Sequence, residues 1–106
     1  MKRRAVILPS AREQLEELGL RLRLARERRG ISQVLAAERV GCSRETLRRL
    51  EAGDPSVSLG TVLRVLRVLQ LDADINSLAA DTDLIGKLDD LAARGIQVGG
   101  ARRSRA

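Results

Sequence analysis

Between residues 32 and 71 the chain is cut into short pieces by serines and glycines: Ser32 with Gly41, Ser43 with Gly53, and Ser58 before a long leucine and valine run. A serine hydroxyl accepts from the unpaired amides at a helix start, and glycine adopts the left-handed turn that closes one. The spacing predicts helices over about residues 33–40, 44–52 and 59–71. The first two are short and joined by Gly41-Cys42-Ser43 alone. Two such helices linked by a three-residue turn containing glycine have the form of a helix-turn-helix, and each must borrow stability from its neighbours.

Around this segment the pattern is helical almost throughout. Residues 5–8, Ala-Val-Ile-Leu, read as a short strand ended by Pro9, and Ser10 with Glu13 has the spacing of a capping box, so the first helix is expected from Ala11. Leu15, Leu18, Leu22 and Ala25 form its inward stripe. Arg21, Arg23, Arg26, Arg28 and Arg29 crowd its later turns, where cations suit the negative end of the helix dipole. In the fourth helix Leu59, Val62, Leu63, Leu66 and Leu69 make one face, and Val65 with Val68 widens it enough to suit a central helix or one facing a second subunit. Ile75, Leu78 and Ala79 suggest a short fifth helix. Leu84, Ile85, Leu88, Leu91 and Ala92 suggest a sixth that stops at Gly95 and carries an interior Gly86, which costs about 1 kcal/mol relative to alanine. Ile96-Gln97-Val98 reads as a further strand, and the glycine- and arginine-rich end as a loose tail. The expected organisation is a basic arm over residues 1–9, a helix-turn-helix domain over 10–80, an acidic helical extension over 81–95 and a basic flexible tail over 96–106.

Composition narrows the chemistry. At 106 residues the chain suits one small domain with tails. It has no histidine and a single cysteine, which removes a histidine base, a histidine-held zinc and an intrachain disulfide. Asp81/Asp83 and Asp89/Asp90 lie on a solvated acidic stretch with no histidine, cysteine pair or phosphate-cradling glycines beside them. No catalytic residue, metal site or cofactor is expected. Cys42 reads as a half-buried filler. The absence of aromatic residues argues against single-stranded nucleic-acid readers, which stack bases on rings. No run of about 18 apolar residues and no secretory apolar segment is present, so a cytoplasmic location is expected.

The net charge of +6 is unevenly spread, with basic groups in excess at the front and extreme end and acidic ones over residues 54–95. A polyanion at one end and another partner at the other follow from that asymmetry. On the predicted third helix, Arg44, Glu45, Arg48 and Arg49 fall within an arc of about 140°, with Leu47 and Leu50 nearly opposite. One reading is an ordinary solvated face laced with ion pairs three and four residues apart. The other is a helix seated in the major groove, where arginine pairs with guanine O6 and N7 and a carboxylate accepts from the cytosine amine. The tight turn and the bracing second helix favour the groove reading.

With Gln33 opening the second helix, Gly41 in the turn, Ser43 capping the third and Leu50-Glu51-Ala52-Gly53 closing it, residues 20–71 resemble the phage-repressor (Xre/Cro-type) helix-turn-helix family. The resemblance implies an all-α, compact five-helix, lambda-repressor-like domain with short terminal extensions. It implies that Gln33 and Ser43 touch phosphates, that Arg44, Glu45 and Arg49 face bases, and that Thr46 and Arg48 lie near the backbone or neighbouring bases. The sequence departs from the family at Ala36, where a large apolar residue is usual, with Leu35 just before it. Either the second helix is rotated or repacked, or the hole is filled from elsewhere. Residues 54–61, Asp-Pro-Ser-Val-Ser-Leu-Gly-Thr, are similar to the HipB-like antitoxins that accompany HipA-like kinases. The expectation is a non-enzymatic, homodimeric repressor of double-stranded DNA acting on a palindromic operator and neutralising such a toxin. A stand-alone regulator and a protein-interaction module docking through residues 72–90 are the alternatives.

Overall fold

The computed structural model describes residues 6–95. In chain order it contains α1 (Pro9–Arg28), α2 (Gln33–Val40), α3 (Arg44–Glu51), α4 (Leu59–Val68), a 3-10 segment (Asp72–Ser77) and α5 (Thr82–Ala93). The fold is all-α, with no strand among the described residues. The chain divides between residues 73 and 74 into two compact units.

In the first unit α3 packs against both α1 and α2, and α2 packs against α4. Their meeting point is a core of Leu22, Ala36, Ala37, Val40, Leu47, Leu50, Val65, Leu66 and Leu69. Each fully buried leucine or valine contributes on the order of 2 kcal/mol of transfer free energy. Leu47, on the middle turn of α3, is 1% exposed and is the pin of that helix. The departure at Ala36 is settled by burial: Ala36 is 3% exposed and Leu35 38%. Thus α2 is not turned to bury its leucine, and the small alanine faces a core otherwise built of leucine and valine. On α4 the inward residues are Thr61, Val65 and Leu66, with Leu69 just beyond its end. Leu59, expected on that inward face, is 64% exposed: it is the first residue of the helix, and burial starts two residues on, at Thr61.

The contact of α1 with α3 depends on two glycines. A β-carbon on Gly19 would lie 2.5 Å from the Glu51 carbonyl oxygen and 2.7 Å from that of Leu50, so α1 lies directly on the backbone at the end of α3. Gly53, at φ +86, closes α3, and a β-carbon there would sit 2.7 Å from the backbone nitrogen and Cα of Glu16. Only a residue without a side chain satisfies both the left-handed turn and this approach.

Several boundaries differ from the sequence expectation. Residues 6–8 form no strand, and Ala5 lies outside the described residues. Pro9 begins α1 instead of ending a strand, since its fixed φ and missing N–H suit the first helical position. Leu8 is therefore the cap, and Ser10 falls inside the first turn with no capping bond. The fourth helix ends at Val68 and not Leu71: Gln70 turns left-handed at φ 62, and the Leu71 amide reaches back 2.7 Å to the Leu66 carbonyl. The fifth helix, expected around Ile75, Leu78 and Ala79, is the earlier 3-10 segment, with Leu78 exposed beyond it and Ala79 left-handed at φ 54. The strand expected over residues 96–98 and the tail lie outside the described residues.

In the second unit α5 starts where Asp81 Oδ1 accepts from the amides of Asp83, at 3.1 Å, and Leu84, at 3.3 Å. Gly86 lies within the helix with open space around it, Arg94 pairs with Asp90 at 3.0 Å, and Gly95 turns left-handed after the end.

Candidate nucleic-acid interface

The presentation of α3 begins in the turn before it. Gly41 takes φ +83, which places the amides of Gly41 and Cys42 on the Ala37 carbonyl, at 2.9 and 3.1 Å, and so closes α2. Arg64 from α4 donates to the Val40 carbonyl at 3.3 Å, tying the same helix end to the body. Cys42 is half-buried against the core, as its filler reading requires. Ser43 Oγ then accepts from the Thr46 amide at 3.0 Å and donates to Thr46 Oγ1 at 2.9 Å, which starts α3. With Leu47 and Leu50 buried beneath it, the helix has one orientation.

Its opposite face carries Arg44, Glu45, Arg48 and Arg49, all exposed. Glu45 holds two of the arginines. Arg48 donates Nε to Oε1 at 2.8 Å and Nη2 to Oε2 at 2.7 Å, and Arg49 donates Nε to Oε2 at 3.2 Å. The Arg48 hydrogen bond is the main reason the Glu45 carboxyl is held down at about 2, and the same bond raises Arg48 above its ordinary value. Ser56, through its hydroxyl and its amide, lowers Asp54 in the turn after α3. The face is laced with the ion pairs three and four residues apart, and its side chains stand together as an exposed polar row.

Behind the row lies a charged network that reading by residue type did not find. Arg26 of α1 and Glu51 of α3 are both buried, 8% and 9% exposed. Arg26 Nε and Nη2 donate to the two Glu51 carboxylate oxygens at 2.6 and 3.0 Å, and Nη1 donates to the Ile31 carbonyl at 2.9 Å. The Glu51 hydrogen bond raises Arg26 further above its ordinary value, against the opposing effect of burial. Gln33 Nε2 donates to Glu51 Oε1 at 3.0 Å, and Gln33 Oε1 faces Arg44 Nε at 3.5 Å. The chain of contacts runs from the buried pair, through the first residue of α2, to the first residue of α3. Arg23, Ser32, Gln33, Arg44, Arg48 and Glu51 are among the residues lining an open cleft of about 540 Å³ above it.

Arg26 was expected in the cationic crowd at the end of α1, and Arg23 with Glu27 does form such a solvated pair at 3.0 Å. The signal for Arg26 is positional. It stands four residues after Leu22 and Glu51 four after Leu47, so both charges occupy apolar-face positions, where a charge must be paired. Of the sequence-derived site residues, Arg44, Glu45, Arg48 and Arg49 share the exposed face. Thr46 and Ser43 are joined in the cap, and Gln33 is half-buried with its amide committed to Glu51.

A short helix with buried leucines on one side and a polar row on the other, reached through a glycine turn from a bracing helix, defines the helix-turn-helix class of DNA-binding domains. Comparison with protein families matches residues 17–78 to a helix-turn-helix domain, more than half of the chain, and the chain belongs to that family. Searches of curated proteins and of solved structures give no match. Among the described residues no helix is long and apolar enough to cross a membrane, and no group of three or more carboxylates or cysteines is placed to hold a metal ion.

Proposed function

We propose that the chain is a transcriptional repressor that binds double-stranded DNA with sequence specificity, working in the cytoplasm as a homodimer on a palindromic operator. The observation that carries this reading is the anchoring of α3: Leu47 and Leu50 are buried while Arg44, Glu45, Arg48 and Arg49 stand exposed on the other side. In the major groove Arg44, Glu45 and Arg49 face base edges, with Arg48 and Thr46 beside the backbone or neighbouring bases. Gln33 and Ser43 approach phosphates, Gln33 from the position that its bond to Glu51 gives it. A dimer sets two such helices into successive major grooves about 34 Å apart. Selection of bound duplexes from a random pool, at two salt concentrations, tests this. An enriched palindrome is the expected result; retention of random duplex alone, fading equally for all sequences as salt rises, would defeat it.

The second reading adds a protein partner, a HipA-like kinase toxin neutralised by this chain, with control of the shared operon by the pair. It is favoured by the turn in which Asp54 accepts from Ser56, by the exposed Leu59 that follows it, and by the acidic residues 72–90. Co-expression with the product of the adjacent gene, followed by purification, separates the readings. A stoichiometric complex supports the antitoxin; a chain that purifies alone and still selects its palindrome is a stand-alone regulator.

A further inference from the structure

Glu45 stands between two arginines that the DNA-binding reading sends toward DNA, and it holds both. Its carboxylate offers about four lone-pair positions, and hydrogen bonds from Arg48 and Arg49 occupy three of them at 2.7, 2.8 and 3.2 Å. Arg44 stands outside this clamp and faces Gln33 at 3.5 Å. All three clamped side chains are about half exposed, so the clamp is open to exchange with an incoming ligand.

Resting on the DNA-binding reading above, we infer that Glu45 determines sequence selectivity by holding Arg48 and Arg49 away from phosphates until a base donor, a cytosine amine in the major groove, takes over its carboxylate. On an arbitrary duplex each arginine that turns to a phosphate leaves Glu45, and the carboxylate is then driven against a polyanion with no donor of its own. That repulsion penalises every sequence alike. Where a cytosine amine lies within reach, the carboxylate keeps a hydrogen-bond donor while the arginines move outward. The penalty is lifted for that sequence alone, so Glu45 discriminates by repelling wrong partners as well as by recognising the right one. While Arg48 is bonded to it, the carboxyl is held down at about 2, so the clamp of the free protein is charged when it meets DNA.

The competing account gives Glu45 a local role only, as an acidic residue in the first turn of α3 that favours the helix dipole. In that case its neutral isostere would alter helix stability and leave selectivity untouched. The test uses the full chain and the duplex that the wild type enriches. Wild type and Glu45→Gln are titrated on that duplex and on random duplex at two salt concentrations, with helix content checked by circular dichroism. The expected result for Glu45→Gln is tighter binding to random duplex and a salt dependence steeper by about one to two units, for one or two added phosphate contacts. The ratio of enriched to random affinity should fall roughly five- to a hundredfold, the worth of one specific base contact. In an Arg48→Gln background the same substitution should steepen the salt dependence less. An unchanged ratio, or weaker binding to random duplex, overturns the inference while DNA recognition by the wild type still stands. Failure of the wild type to enrich any sequence overturns both together.

Discussion

Arg26 of α1 and Glu51 at the end of α3 meet inside the protein in a two-point ion pair, and the same carboxylate holds Gln33 at the start of α2. Three helices are thereby fixed to one buried charge. Removing one partner leaves the other buried and unpaired, so Arg26→Ala should cost about 3–5 kcal/mol of stability. Replacing both with apolar residues, as in Arg26→Met with Glu51→Leu, should restore most of it, because the desolvation of two charges is no longer required. The double variant should nonetheless bind its duplex more weakly than wild type, since Gln33 has lost its anchor. Thermal unfolding together with duplex titration checks this; equal affinity for double variant and wild type would remove Gln33 from the interface.

Gly19→Ala should destabilise the protein although alanine is the better helix former by about 1 kcal/mol. The new methyl group meets backbone oxygens of Leu50 and Glu51, which have no rotamer to yield with, so α1 must shift off α3. Overpacking of this kind costs about 1–3 kcal/mol beyond the propensity gain. A midpoint lowered by several degrees is expected.

Gln70→Gly should act in the opposite direction. Gln70 is exposed and left-handed at φ 62, closing α4 in the way that Gly53 closes α3. Relief of the left-handed strain, about 1–2 kcal/mol, outweighs the added freedom of glycine in the unfolded chain. A small rise in the unfolding midpoint with unchanged duplex affinity is the expected measurement.

On the palindrome that the wild type selects, Arg49→Ala should lose roughly 1–3 kcal/mol and relax selectivity at one position of each half-site. Titration against single-base variants reads both effects. Equal losses on the palindrome and on random duplex would place Arg49 on the phosphate backbone.

The Glu45 clamp has a pH signature. Its folded value of about 2 lies below the ordinary 4.5, so whatever stability the clamp provides is fully present above about 4.5 and disappears as pH falls toward 2. An NMR titration of the side-chain carboxyl should find its midpoint near 2, and Arg48→Gln should bring that midpoint back up. Across neutral pH the clamp contributes no pH dependence to DNA binding.

The helices of the first unit were legible because their ends are local chemistry. Ser32, Ser43 and Ser58 accept from amides three residues on, and Gly41 and Gly53 turn where the sequence says they turn. The errors have local causes too: Pro9 is as good at opening a helix as at ending a strand, and Gln70 stops α4 from a backbone conformation that its residue type does not advertise. The polar row on α3 was equally readable, since Leu47 and Leu50 fix its orientation.

Sequence alone determined where the short helices of the first unit begin and which side chains α3 turns outward, because capping and helical periodicity act within a few residues. Tertiary structure alone decided that Arg26 and Glu51 are a buried pair, that Gln33 hangs from it, and that Gly19 lets α1 lie on the backbone of α3. Those contacts join residues far apart in the chain, and a charge or a missing side chain acquires its meaning there only from what packing brings against it.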